Sequence, residues 1–173
     1  MLDAQKPAFI DPRYANPIVA QIAGFLAHIG LKTEPARLQE PTFLDGVHIS
    51  HGNLLIDEAA LTYPGDLLHE AGHLAVTPAE RRNQLHHHAG GDPGEEMAAI
   101  AWSYAAALSA GVDPGVVFHS GGYGGGQAIL ENFIRGRFFG VPLLEWFGLT
   151  VDKKNAALLN APPYPHMIKW LRD

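Results

Sequence analysis

Residues 64–76, which read PGDLLHEAGHLAV, contain the pattern that decides the fold. The segment opens with a Pro-Gly-Asp sequence typical of a helix start, and apolar residues then recur at helical spacing to its end. At about 100° per residue, His69, Gly72 and His73 lie on one side of this helix. The opposite arc carries five apolar residues, Leu67, Leu68, Ala71, Leu74 and Ala75. The pattern predicts a helix that packs on a core and presents two histidines on its other face.

The same helix contains the H-E-x-x-H motif, formed by His69, Glu70 and His73. Two histidines four residues apart project from one helix face and can bind one metal ion. A zinc ion in such a site lowers the pKa of water from about 15.7 to about 7. Glu70, beside the first ligand, is placed to accept a proton from that water. The motif therefore predicts a zinc site with Glu70 as its general base.

A catalytic zinc usually has a third protein ligand. The extended motif with a further histidine after the second ligand is absent, because residues 74–81 contain neither the glycine nor the histidine that it requires. Glu95 and Glu96, at the start of an alanine-rich helix predicted behind Asp92, are the candidates. Glu95 has a second role as a capping-box residue. We favour Glu96, which follows His73 by 23 residues and has no such role.

The order of elements over residues 43–108 resembles a minimal gluzincin metallopeptidase. A hairpin is predicted over Phe43 to Asp57, followed by the H-E-x-x-H helix and a glutamate at the head of an alanine-rich helix. Among gluzincins, the chain is most similar to the ImmA/IrrE-like group of small cytosolic proteases. The resemblance implies zinc held by His69, His73 and a downstream Glu, and peptide hydrolysis with Glu70 as base. The chain departs from that group in two ways. It lacks a helix-turn-helix segment, and its C-terminal third, from His119 on, matches no recognisable pattern.

A glycine-rich stretch, residues 119–126, contains the candidates for oxyanion stabilisation. Hydroxide attack on a carbonyl creates an oxyanion, and a His or Tyr on a loop can donate a hydrogen bond to it. His119 and Tyr123 are therefore assigned as candidate catalytic residues. The alternative is a flexible loop with a packing tyrosine.

Ten histidines are an excess for 173 residues, and three of them are adjacent at positions 86–88. Pro78 and a Thr77–Glu80 capping box predict a short helix running toward His88. Three adjacent histidines on a helix point in different directions, which favours a solvated, weakly metal-binding surface. One of them remains an alternative third ligand. His48 and His51, in the predicted hairpin, are expected to be solvated.

The composition is that of a globular protein without excess positive charge. Hydrophobic residues make up 47% and charged residues 17%, and the formal net charge is −6. This charge argues against general nucleic-acid or anionic-membrane binding. The absence of cysteine excludes disulfides, cysteine nucleophiles and iron–sulfur clusters. With no apolar signal core in residues 1–15, we expect one cytoplasmic domain over residues 1–173.

The sequence predicts an α+β fold, a helix-rich, zincin-like domain with a small antiparallel sheet or hairpin packed on the H-E-x-x-H helix. The leading function is zinc-dependent hydrolysis of a peptide or protein substrate. Two alternatives stay open. In the first, the protein is a catalytically inactive metal-binding regulator. In the second, it is a zinc hydrolase that acts on a non-peptide amide.

Overall fold

A computed structural model describes residues 9–87, 92–122 and 125–173 of the chain. Its described residues form eight helices and four short strands, so the α+β prediction is confirmed. The helices are α1 (Pro17–Ile29), α2 (Asp66–Val76), α3 (Ala79–Arg82), α4 (Pro93–Ala110), α5 (Pro114–Val117), α6 (Gly126–Ile134), α7 (Val141–Trp146) and α8 (Lys153–Leu159). The strands are β1 (Thr33–Pro35), β2 (Val47–Ser50), β3 (Asn53–Ile56) and β4 (His86–His87).

The four strands form one sheet in the order β1-β3-β2-β4. Strands β2 and β3 pair antiparallel and are joined by a two-residue turn at His51 and Gly52, with φ of 49° and 77°. Positive φ at both central residues is the requirement of a tight hairpin turn. The predicted hairpin is therefore confirmed. The sheet is mixed and not purely antiparallel, because β1 pairs parallel to β3.

The two helices that carry the candidate ligands, α2 and α4, pack closely against each other. A Cβ added to Gly72 of α2 would lie 2.8 Å from the Ala99 carbonyl oxygen and 3.1 Å from Ser103 Oγ on α4. Contact at this distance is possible because the facing residues are small. Helix α4 begins at the N-cap Asp92, whose Oδ1 accepts from the backbone amides of Gly94 and Glu95. The close packing fixes the first turn of α4 relative to α2.

The segment after α2 differs from the sequence prediction. Thr77 ends α2 and does not start the next helix, and its hydroxyl donates to the His73 carbonyl at 2.8 Å. The predicted capping box at Thr77–Glu80 is therefore wrong. Helix α3 is a single turn that ends at Arg82, and the chain then extends into β4. His86 and His87 consequently lie in a strand and not in the predicted helix.

Two arginines satisfy carbonyl groups at the C-terminal end of α2. Arg82 Nε donates to the Leu74 carbonyl at 2.8 Å. Arg172 donates from its backbone amide to Ala75 at 2.9 Å and from its guanidinium to Val76 at 3.2 Å. The last carbonyls of a helix have no partner within the helix, so these contacts stabilise its end. They tie α2 to a segment that is distant in sequence.

The C-terminal third packs its aromatic side chains against α4. Tyr104 of α4 meets the Phe133 ring edge-on at a centroid distance of 5.1 Å. Helix α6, in the same third, ends at Ile134, and Gly136 beyond it adopts φ of 72°. Within the described ranges, no helix is both long and apolar enough to cross a membrane.

Candidate metal centre

The side chains of His69, His73 and Glu96 converge between α2 and α4. The two Nε2 atoms lie 3.1 Å apart. Glu96 Oε2 lies 3.0 Å from His73 Nε2, and Glu96 Oε1 lies 3.7 Å from His69 Nε2. This buried cluster brings together the motif histidines and one of the two candidate glutamates.

Glu95, the other candidate third ligand, turns away from the buried cluster. Its carboxylate pairs with Arg81 at 2.6 Å and lies 3.9 Å from the Arg172 guanidinium. Neighbouring residues on a helix are about 100° apart, so the two glutamates cannot both face α2. The arginines hold Glu95 on the side of α4 that faces α3 and the C-terminal segment. The structure therefore separates the two glutamates that the sequence left as alternatives.

The geometry of the buried cluster fits a zinc ion. Zinc binds imidazole and carboxylate at about 2.0–2.2 Å in tetrahedral geometry, which places neighbouring ligand atoms about 3.3 Å apart. The two Nε2 atoms are 3.1 Å apart, and each lies 3.0 or 3.7 Å from one of the two Glu96 oxygens, which is close to that value. The donor set of two imidazoles and one carboxylate is that of a catalytic site with an open position. The residues present therefore fit such an ion, which His69, His73 and Glu96 could hold together.

Burial and neighbouring charges determine the protonation of the cluster. Burial, together with the charge of His73, lowers the pKa of His69 to about 3. Burial also opposes protonation of His73, but the hydrogen bond that His73 donates to Glu96 and the charges of the nearby carboxylates outweigh it and raise its pKa. The hydrogen bond with His73 lowers the pKa of Glu96. His69 is therefore a neutral imidazole and Glu96 a carboxylate near neutral pH, as metal ligands must be, whereas His73, whose pKa is raised, would release its proton on binding a metal.

Glu70 is a buried carboxyl group beside the two histidines. Its side chain is on the same helix, and the residue is only 9% exposed. Burial raises its pKa, and the negative charges of Glu96 and Asp66 add to the rise, while His73 opposes it. A carboxylate whose pKa is raised is a stronger proton acceptor. The environment of Glu70 is therefore suited to general-base chemistry.

A second polar group lies one helical turn before His69. Asp66, at the start of α2, accepts from His119 Nε2 at 2.9 Å. The His119 ring stacks on Tyr63 with a centroid distance of 3.8 Å and an interplanar angle of 14°. A Cβ at Gly122 would lie 2.9 Å from the His119 ring, so the glycine makes room for it. The contacts bring His119, predicted from sequence, to the helix that carries the motif.

Asp66 and Tyr63 were not recognised in the sequence as site residues. Asp66 lies seven residues before His73 and therefore on the same helix face, which is the signal that was available. Tyr63 has no such signal, because its stacking depends on the position of a loop more than fifty residues further on. Tyr123, the other predicted oxyanion donor, lies outside the described residues.

In the described part of the chain, the run of histidines at positions 86–88 does not contribute to the buried cluster. His86 and His87 lie near His48 on the sheet, and the three rings form a separate group whose ligand atoms lie within 4.8 Å of one another. His88 lies outside the described residues. Among the described residues of this run, none faces the motif histidines, whereas Glu96 faces both of them.

Comparisons with protein-family models, with curated proteins and with solved structures found no match to this chain. The candidate site therefore has to be interpreted from its own geometry and chemistry.

Proposed function

We propose that this protein is a zinc-dependent hydrolase that cleaves peptide bonds. The observation that carries the proposal is the convergence of His69, His73 and Glu96 beside the buried carboxyl of Glu70. His69, His73 and Glu96 would hold the ion. When bound, zinc supplies Lewis acidity, which lowers the pKa of water and polarises a carbonyl group.

Glu70 is the proton carrier of the proposed reaction. It accepts a proton from the attacking water as the water oxygen bonds to the carbonyl carbon. It then delivers that proton to the amine nitrogen as the carbon–nitrogen bond breaks, so one water is consumed for each bond cleaved. The raised pKa of Glu70, caused mainly by burial, supports the first step because it makes the carboxylate a stronger proton acceptor.

His119 is the residue that we assign to the oxyanion. Nε2 of His119 donates to Asp66 and Nδ1 is buried, so in this role the ring would exchange its bond with Asp66 for one with the substrate. Stacking on Tyr63 limits rotation of the ring. Glu96 is 43% exposed, whereas the side chains of the two histidines are 12% and 10% exposed, so solvent and substrate can approach past Glu96. Tyr123 stays a second candidate for the same role.

The test separates metal binding from hydrolysis. Untagged protein, purified without a metal column, is analysed for zinc and assayed by mass spectrometry on a mixed peptide library. We expect about one firmly held zinc per chain. Glu70→Gln should retain the zinc and lose about 100- to 10,000-fold in rate, because the amide cannot accept the proton.

The matched control is His166→Ala, which removes an exposed histidine from the C-terminal segment. It should change neither the zinc content nor the rate of hydrolysis. Hydrolysis unaffected by Glu70→Gln would contradict the assignment of the base. Zinc binding without cleavage of any peptide would favour the alternative of a catalytically inactive, metal-binding regulator. Cleavage of small amides alone would favour the non-peptide hydrolase.

A further inference from the structure

A second group of histidines lies on the outer face of the sheet. On β2, Val47 and Ile49 are buried, so the alternating residue His48 points away from the core. Strand β4 pairs antiparallel with β2, and His86 lies opposite Ser50, which shares the outer face with His48. The centroids of the His48 and His86 rings are 5.4 Å apart. Strand pairing therefore brings two histidines together that are distant in sequence.

The third histidine joins them through an unusual backbone conformation. Successive residues of a strand point to opposite faces, so His87 would be expected to face away from His86. His87 instead has φ of 69°, a left-handed conformation that L residues other than glycine rarely adopt. Its ring lies 5.0 Å from that of His48 and 4.1 Å from that of His86. Such strain is typical of positions where side chains are held for a function.

Each of the three rings offers a nitrogen, and these atoms lie within 4.8 Å of one another. Imidazole nitrogens bind zinc at about 2.0–2.1 Å, which requires separations of about 3.3 Å in tetrahedral geometry. His86 and His87 are exposed, so rotation of their side chains can close the difference. This group contains no carboxylate. Its donors therefore suit zinc, copper and nickel rather than calcium or magnesium.

We propose that His48, His86 and His87 form a second, solvent-accessible binding site for a divalent transition-metal ion. This surface cluster is separate from the buried cluster, and neither depends on the other for a ligand.

Two neighbouring features support the surface cluster. His51, in the hairpin turn, stacks on His86 with a centroid distance of 4.8 Å and an interplanar angle of 21°. His48 and His87 also line a groove of about 670 Å³, through which an ion or a further ligand can reach the site. Burial and the adjacent rings of His87 and His86 lower the pKa of His48, which favours the neutral imidazole that metals bind.

The experiment isolates the surface cluster by removing the other one. Chelator-treated, untagged His69→Ala/His73→Ala protein is titrated with Ni²⁺ alone by isothermal calorimetry. We expect one Ni²⁺ per chain, and at least tenfold weaker binding when His48→Ala or His86→Ala is added. His166→Ala in the same background should change nothing. No uptake of Ni²⁺, or uptake that both cluster variants leave intact, would overturn the proposal.

A measurement on wild-type protein covers the case in which the double variant fails to fold. Zinc is first supplied at one equivalent, and Cu²⁺ is then added while the histidine ring signals are followed by nuclear magnetic resonance. We expect the signals of His48, His86 and His87 to broaden before those of His28 and His166, which are exposed elsewhere. Equal broadening of all exposed histidines would overturn the proposal. Neither experiment measures hydrolysis, so failure of this proposal can be distinguished from failure of the proposed enzyme activity.

Discussion

The two histidine clusters combine the same kind of ligand on different secondary structures. In the buried cluster, helix α2 sets His69 and His73 one turn apart and also carries Glu70, and helix α4 adds the carboxylate of Glu96. In the surface cluster, two paired strands supply three imidazoles, and the group contains neither a carboxylate nor a buried base. The difference teaches that ligand geometry alone does not make a catalytic site. In our proposal the buried cluster acts in hydrolysis, and the surface cluster only binds metal.

The largest expected effect separates the two clusters by affinity. His73→Ala removes one of three ligands from the buried cluster, so zinc affinity there should fall about 1000-fold, equivalent to about 4 kcal/mol. Binding at the surface cluster should be unchanged. Competition against a chelating dye measures both affinities.

His28→Ala is the control for that competition experiment, because His28 is exposed on α1 and belongs to neither cluster. Tight zinc binding that survives His73→Ala would contradict the assignment of the buried cluster as the principal metal site.

The next effect concerns the contact between Asp66 and His119, which lies beside the buried cluster and has no counterpart at the surface cluster. Asp66→Asn keeps the size of the side chain but removes the charge that orients His119. We expect the rate of hydrolysis to fall about 10- to 100-fold through misplacement of the ring. Zinc content should not change. Steady-state kinetics with metal analysis on the same samples checks this, and a parallel loss of zinc would show that Asp66 supports the metal instead.

The close packing of α2 on α4 provides a third prediction. Gly72→Ala places a Cβ 2.8 Å from the Ala99 carbonyl oxygen and should force the helices apart. Overpacking costs about 1–3 kcal/mol. The better helix propensity of alanine offsets about 1 kcal/mol of this.

Thermal denaturation should show the melting temperature of Gly72→Ala lowered by about 2–4 °C for each kcal/mol lost. Zinc affinity of the buried cluster should fall and that of the surface cluster should not. Equal weakening of both would mean that the helix contact does not position Glu96.

The smallest effect tests the support of the surface cluster. His51→Ala removes the ring stacked on His86. Stacked aromatic pairs contribute about 0.5–1.5 kcal/mol. We therefore expect Ni²⁺ affinity at this cluster to fall only a few-fold, with the buried cluster unaffected. Calorimetry in the His69→Ala/His73→Ala background makes the measurement, and a loss as large as that caused by His48→Ala would make His51 a ligand.

Elements determined by neighbouring residues could be predicted from the sequence. Helices α1 and α2 follow from apolar periodicity, and the β2–β3 hairpin follows from alternation around His51-Gly52. The start of α4 follows from Asp92, which caps it as expected. His69, Glu70 and His73 could be assigned to one site because four residues of helix fix their spacing.

What the sequence did not reveal depends on contacts between distant residues. Strand β1 has three residues, one of them proline, and forms only because it pairs with β3. His86 and His87 become a strand because β2 offers them a partner. The choice between Glu95 and Glu96 was open in the sequence because the partner that draws Glu95 away includes Arg172.

The contacts of Arg172 with α2 also have a consequence for the order of events during synthesis. Arg172 is made 96 residues after Val76, whose carbonyl it binds. The end of α2 therefore stays without this partner until residue 172 has been translated. Long-range contacts of this kind form late and slowly. A nascent chain that already displays both histidines of α2 is thus expected to hold metal loosely, and firm retention should begin only when the C-terminal segment docks.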